Sequence, residues 1–242
     1  MFGNKYSKFL TVLLIIIIIA VIGLLGFIGY NVYTSYSTKK GASEFVEAFV
    51  GESEEKKDTN EAVSSSNSVT NNTSTNTSQE ENVDLSTLNI AGNSDNSGDT
   101  KTVKKNVKYK GFDTVGTIQI PSISVNYPVL AKTTKKSLET SVAVLYPDNA
   151  ELNQVGNVVI VGHNYRNGTF FSNNKKLKIG DRINITDLYG KKIVYIIYNI
   201  FEANQSDTSF YNRDTNGARE ITLSTCTDAS NDMRLIVEAK EQ

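Results

Sequence analysis

Hydrophobic and polar positions divide this chain into three unlike stretches. Phe9 to Tyr30 is an unbroken apolar run containing Leu13-Leu-Ile-Ile-Ile-Ile-Ile19 and no charged residue. It exceeds the ~20 residues a helix needs to cross a bilayer, which predicts a membrane-spanning helix over residues 9–30. A cleavable leader would carry an apolar core of only about 7–15 residues followed by small residues at the cleavage site. Asn31-Val-Tyr-Thr-Ser-Tyr36 follow instead, so the helix reads as a retained single-pass anchor. Lys5 and Lys8 flank one side, Lys39 and Lys40 the other, and the lysine count hardly sets the orientation. The short tail 1–8 is assigned to the cytoplasm, which places everything beyond residue 40 outside the cell membrane.

Residues 31–51 form a juxtamembrane segment in which Phe45, Val46, Ala48 and Phe49 predict a short amphipathic turn or two. Next comes Ser64-Ser-Ser-Asn-Ser-Val-Thr-Asn-Asn-Thr-Ser-Thr-Asn-Thr-Ser78, a tract with almost nothing to bury. Such a composition does not offset the entropy of ordering, and residues 52–108 are expected to be a disordered polar stalk.

From residue 109 to 242 the pattern changes to short runs rich in Val, Ile, Thr and Tyr, separated by Gly, Asn, Asp or Pro. The predicted strands are Val115–Ile120, Val125–Leu130, Ala143–Tyr146, Asn157–Val161, Arg182–Thr186, Lys191–Phe201, Glu220–Thr225 and Leu235–Ala239. Helical signals are confined to Lys135–Thr140 and Phe170–Leu177. A mostly β domain of this kind is a barrel or a sandwich.

Net charge is −1 and the domain has no dense basic run, so nucleic acid is not an expected partner. No metal or other cofactor is expected either, because the lone His and lone Cys are too far apart in sequence for the usual zinc spacings. Those two residues carry the chemistry instead. His163 closes Asn157-Val-Val-Ile-Val-Gly-His163 and Cys226 closes Glu220-Ile-Thr-Leu-Ser-Thr-Cys226, each at the end of a strand-like run. A single cysteine outside the membrane has no intramolecular disulfide partner. Paired with an imidazole it makes a nucleophile. Arg234 opens the following strand, and a hairpin through Thr227–Met233 brings it near Cys226 as a fixed cation. Each residue alone is more often structural, a buried thiol, a hydrogen-bonded imidazole or a solvated guanidinium.

Thr222-Leu-Ser-Thr-Cys226 followed by Arg234 resembles the TLxTC…R signature of sortases, the cysteine transpeptidases of Gram-positive cell surfaces, and Gly162-His163-Asn164 resembles their histidine segment. The resemblance covers roughly Gly111 to Gln242. It implies an eight-stranded β-barrel, with an N-terminal anchor and stalk, and a membrane-bound enzyme. Its partners would be secreted proteins bearing a C-terminal sorting motif and an amine acceptor, a peptidoglycan precursor above all. The resemblance makes Cys226 the nucleophile that forms a thioester and His163 the acid and base. Arg234 would hold the substrate carbonyl or oxyanion. Thr225, Ser224, Asn164 and Tyr165 are candidates for shaping the substrate pocket. Glu202, Asp207 and Asp214 read as solvated loop acids rather than the calcium site of some sortases.

Gly162-His-Asn-Tyr-Arg-Asn-Gly168 and Ser224 are most similar to class B, whose members insert a long helix before the cysteine strand. Glu202–Ala218 is short, polar and without helical periodicity, which leaves a class D-like assignment open. No Asp-Pro-aromatic lid motif occurs between residues 41 and 114, which favours wall anchoring over pilus assembly. The alternatives are a cysteine peptidase or hydrolase using the same pair, and a non-enzymatic stalked β-barrel surface module with an inert thiol.

Overall fold

A computed structural model of the chain describes residues 3–54 and 104–242. It falls into two compact units, Met1–Gly41 and Ala42–Gln242. Helix α1 runs from Gly3 to Glu54. In the first unit its large apolar side chains, Phe9 through Tyr36, are exposed on every face. A helix apolar all round is unsuited to water, and this one has the length and composition to cross a membrane.

The second unit holds the last turns of α1 and all nine strands. Residues 31–51 are continuous helix rather than the one or two turns expected near Glu44. Within this unit Ala42, Val46 and Phe49 are buried, and Phe45 meets Tyr109 edge to face at 5.1 Å. Lys105 Nζ donates to the Phe49 carbonyl at 2.9 Å, and Asn126 donates to Ser43 at 2.9 Å. The barrel's packing therefore begins before residue 109, at both ends of the expected stalk. Burial, reinforced by the nearby Tyr127 and Glu44, pushes the Tyr109 phenol up to about 12. Most of the expected stalk lies outside the described residues.

The strands are β1 Lys108–Tyr109, β2 Phe112–Ile120, β3 Val125–Leu130, β4 Val142–Tyr146 and β5 Gly156–Val161. After them come β6 Arg182–Asp187, β7 Lys192–Asn204, β8 Arg219–Cys226 and β9 Met233–Glu241. Helix α2, Lys135–Thr140, is capped by Thr134, whose hydroxyl accepts from the Ser137 amide. The second predicted helix, Phe170–Leu177, is instead a set of turns with a 3-10 segment at Asn174–Lys176. Thr169, Phe171 and Asn173 satisfy their carbonyls by i to i+3 bonds there.

In the sheet the strands lie in the order β1-β2-β3-β4-β5-β8-β9-β7-β6, and β6 also pairs with β2. That pairing closes β2 through β9 into an eight-stranded barrel, with β1 as a two-residue addition to β2. Alternation sends Ile221, Leu223, Val237, Ala239, Ile160 and Ile197 to the interior, where they join one continuous core. On the other face of the same strands lies a second cluster of Val159, Ala203, Phe210 and Ile236. The connection after β7 lies over it, which is why Thr222 and Ser224 are also buried.

Candidate active site

Strand pairing brings the sequence's reactive residues to one end of three neighbouring strands. Cys226 and Arg234 are direct partners across the antiparallel β8–β9 ladder, and Ala203 of β7 is the next residue in that row. Side chains paired this way share a face. β5 runs parallel to β8, with Val161 level with Ser224. Two more residues of that register set Gly162 beside Thr225 and His163 beside Cys226. Two bonds support the extension: the Gly162 amide donates to the Ser224 carbonyl at 3.2 Å, and the Thr225 hydroxyl donates to the Gly162 carbonyl at 2.7 Å. A Cβ on residue 162 would meet Val142 at 2.8 Å and Phe171 at 2.9 Å, so only glycine lets β5 pass so close before His163.

The imidazole lies 4.8 Å, centroid to centroid, from the exposed ring of Tyr165, which in turn packs on Phe170 at 5.9 Å. Desolvation lowers the His163 pKa, and the negative charge of Glu139 works against that shift. The ring is therefore biased toward its neutral, proton-accepting form at neutral pH. Among the described residues no hydrogen bond joins it to Cys226, whose side chain is half-buried and free.

A polar clasp absent from the sequence reading holds the two strand ends together. Asn164 Nδ2 donates to the Cys226 carbonyl at 2.9 Å and to Asp228 Oδ1 at 2.8 Å. Asp228 also receives Lys175, and Arg166 donates to the Asp228 carbonyl at 2.9 Å. The Lys175 and Asn164 hydrogen bonds hold the Asp228 carboxyl below its ordinary pKa. Asn164 is thus spent on internal bonds next to the histidine. The clue was the polar density of Asn164-Tyr-Arg166 and Thr227-Asp228, yet nothing in the spacing shows that they meet.

The remaining candidates separate. Thr225 is buried, its hydroxyl used by Gly162, though it borders a cavity beside Cys226. Ser224 is also buried, which removes it from any open pocket in this conformation. Arg234 donates to the Asn231 carbonyl and, at 3.2 Å, to Gln205 Oε1, so its guanidinium is engaged with two loops.

The loop 205–218 contains no helix. It is anchored on the outer face of β8 and β9 by Arg213. That guanidinium donates to Glu220 from Nε at 2.9 Å and to Thr222 at 2.8 Å, and its Nη1 lies 3.2 Å from Glu238. Asn157 adds bonds to the carbonyls of Phe210, 3.1 Å, and Tyr211, 3.0 Å. Arg213 is a structural anchor that the sequence pattern concealed.

Comparison with known proteins follows the same segment. The Sortase domain family model matches residues 118–242. Sortase A of Bacillus anthracis is 31% identical over 126 residues, covering 52% of this chain and 58% of that protein. The chain thus spans little more than half the length of this curated relative. Among solved structures, the Sortase D5 transpeptidase of Clostridium perfringens is 31% identical, covering 54% of this chain and 79% of that one, with a TM-score of 0.48. Sortase A of Corynebacterium diphtheriae, as a lid mutant, is 32% identical over 53% of this chain and 70% of that one, also with a TM-score of 0.48.

Proposed function

The chain belongs to the sortase family, and from that premise we propose that it is a membrane-anchored cysteine transpeptidase acting on secreted proteins with a C-terminal sorting motif. Cys226 attacks the backbone carbonyl of a threonine in the motif. His163 takes the thiol proton and passes it to the departing amine, leaving a thioester on the sulfur. An amine of the cell wall then attacks that thioester, and His163 receives the proton it releases. Arg234 supplies the charged donor for the carbonyl oxygen, after leaving its contacts with Asn231 and Gln205.

In this reading residues 1–8 are cytoplasmic, 9–30 span the membrane, and the barrel stands outside it. The observation that carries the proposal is the convergence of Cys226, Arg234 and His163 at one strand end, through the β8–β9 register and the continuation of β5. Cys226→Ala tests it. The substitution removes one half-buried side chain from a strand end, so the barrel stays folded while cleavage of a sorting-motif peptide is lost. Turnover by folded Cys226→Ala protein overturns the mechanism.

A further inference from the structure

The Gln205 amide donates to the Asp232 carbonyl at 2.8 Å, which carries the β7–β9 register past the Asn204–Met233 pair and sets Gln205 opposite Asp232. Alternation then puts Ala203 and Gln205, Asp232 and Arg234, and Cys226 on one face of the sheet. The Thr227 amide donates to the Met233 carbonyl at 3.1 Å, so those two form a hydrogen-bonded pair. Cys226 and Arg234, one step on, are a non-hydrogen-bonded pair, the kind whose side chains lie closer. The guanidinium is nevertheless held elsewhere, by the Asn231 carbonyl and by Gln205 Oε1, to which Nη2 donates at 3.2 Å. Gln205 is itself held, because its Nε2 donates to Asp232 Oδ1 at 3.3 Å. A carboxylate only accepts and a guanidinium only donates, so an amide between them has one satisfied orientation, nitrogen toward Asp232 and oxygen toward Arg234.

We propose that Gln205, oriented by Asp232, is a positioning residue that parks Arg234 at the loop ends in the resting protein and yields it when substrate reacts at Cys226. The inference rests on the transpeptidase reading above, in which Arg234 serves the carbonyl oxygen, and adds the residue that governs when Arg234 is available. As the Cys226 sulfur adds to the carbonyl carbon, negative charge builds on the carbonyl oxygen. That charge draws the guanidinium away from the neutral Gln205 oxygen, since hydrogen bonds between ionised partners are the stronger ones. An amide suits the parking contact because it competes weakly. A carboxylate at the same place would hold the arginine as an ion pair and slow its release. Gln205 and Asp232 are both exposed, so water weakens the contact further and keeps it reversible.

The test needs no knowledge of the sorting motif. Full-length protein in detergent micelles is acylated by p-nitrophenyl acetate at Cys226, the only thiol in the chain. The sulfur adds to the ester carbonyl carbon, the carbon–oxygen bond breaks and nitrophenolate leaves. The second-order rate is read from the nitrophenolate burst, with Cys226→Ala as background. Gln205→Ala is expected to raise that rate by about 2- to 5-fold, the range of one exposed charged contact, and Gln205→Glu to lower it by a similar factor. Both changes should vanish in an Arg234→Ala background, where residue 205 has no guanidinium to hold. Changes of the same sign in both variants, persisting without Arg234, make Gln205 merely structural and overturn its parking role. Unchanged rates in both variants, while Arg234→Ala slows acylation, overturn it too and leave the transpeptidase reading standing. If Arg234→Ala reacts as fast as wild type, Arg234 leaves the reaction and the parking role falls with it. No Cys226-dependent burst removes the transpeptidase reading as well.

Discussion

Cys226 and Arg234 face each other across the β8–β9 ladder, yet the Arg234 guanidinium is turned away to the Asn231 carbonyl and the Gln205 side chain. The backbone thus sets Arg234 beside Cys226 while its side chain is held by two loops. If it swings to the substrate carbonyl, the planar fork matters and lysine does not replace it. Arg234→Lys and Arg234→Ala should each lower kcat/KM on a sorting peptide by about 10²–10³. Values within a few-fold of wild type, with unchanged melting, would place Arg234 on the surface rather than in the reaction.

His163 is the only histidine, so one imidazole resonance reports its titration without assignment. Desolvation depresses its pKa in the folded protein, and Glu139 opposes this. The NMR midpoint should lie below the ordinary value of about 6.5, and Glu139→Gln should lower it again. The neutral ring's contribution to stability is present above the unfolded pKa and is lost as pH falls through the folded one. A midpoint above the ordinary value would point instead to an imidazolium stabilised by a Cys226 thiolate.

Asp228 receives both Asn164 and Lys175 and so ties the segment after the histidine to the segment after the cysteine. Asp228→Ala should reduce kcat about 10-fold while shifting the melting temperature little, because exposed ion pairs are screened by water and contribute little to stability. Its carboxyl is depressed in the folded state, so the clasp is complete above the unfolded pKa and opens as pH falls through the lower folded value. A large loss of stability with full activity would make Asp228 a purely structural residue.

Arg213 sits between Glu220 and Glu238, whose side chains are 10% and 8% exposed. Removing it leaves two buried carboxylates with only the neutral donors Tyr198 and Asn199, and Arg213→Ala should cost about 3–5 kcal/mol in urea unfolding. The lost positive charge is the cause, so Arg213→Lys should cost less than Arg213→Ala. Arg213→Met combined with Glu220→Gln should recover part of the loss. An equal deficit in Arg213→Lys would assign the effect to loop packing instead.

Because Ala42, Phe45 and Phe49 pack within the barrel's unit, a chain starting near Lys101 gives up contacts that one starting near Gly41 keeps. Burial of one such aromatic side chain contributes roughly 1.5–3 kcal/mol. The shorter protein should melt several degrees lower, measured side by side by circular dichroism. Equal melting would show that these helical residues cover the barrel without stabilising it.

Local pattern alone determined the long apolar helix, all eight barrel strands to within a few residues, and α2, because a long apolar run, period-two alternation and a helix cap each act between near neighbours in the chain. The order of His163, Cys226 and Arg234 was legible for a related reason: each ends or opens a strand, and strand ends are visible as changes in residue type. The Phe170–Leu177 segment misled because its apolar spacing fits a helix, whereas its backbone is closed by successive short turns. What the tertiary structure decided depends on residues far apart in sequence. Thr222 and Ser224 lie on the strand face away from the barrel interior, and both are buried there, Thr222 against Arg213. The clasp at Asp228 joins positions 164, 175 and 228, which meet only because β5 and β8 end at the same place. No local rule couples such residues; closure of the barrel by β2 and β6 does, by fixing which strand ends become neighbours.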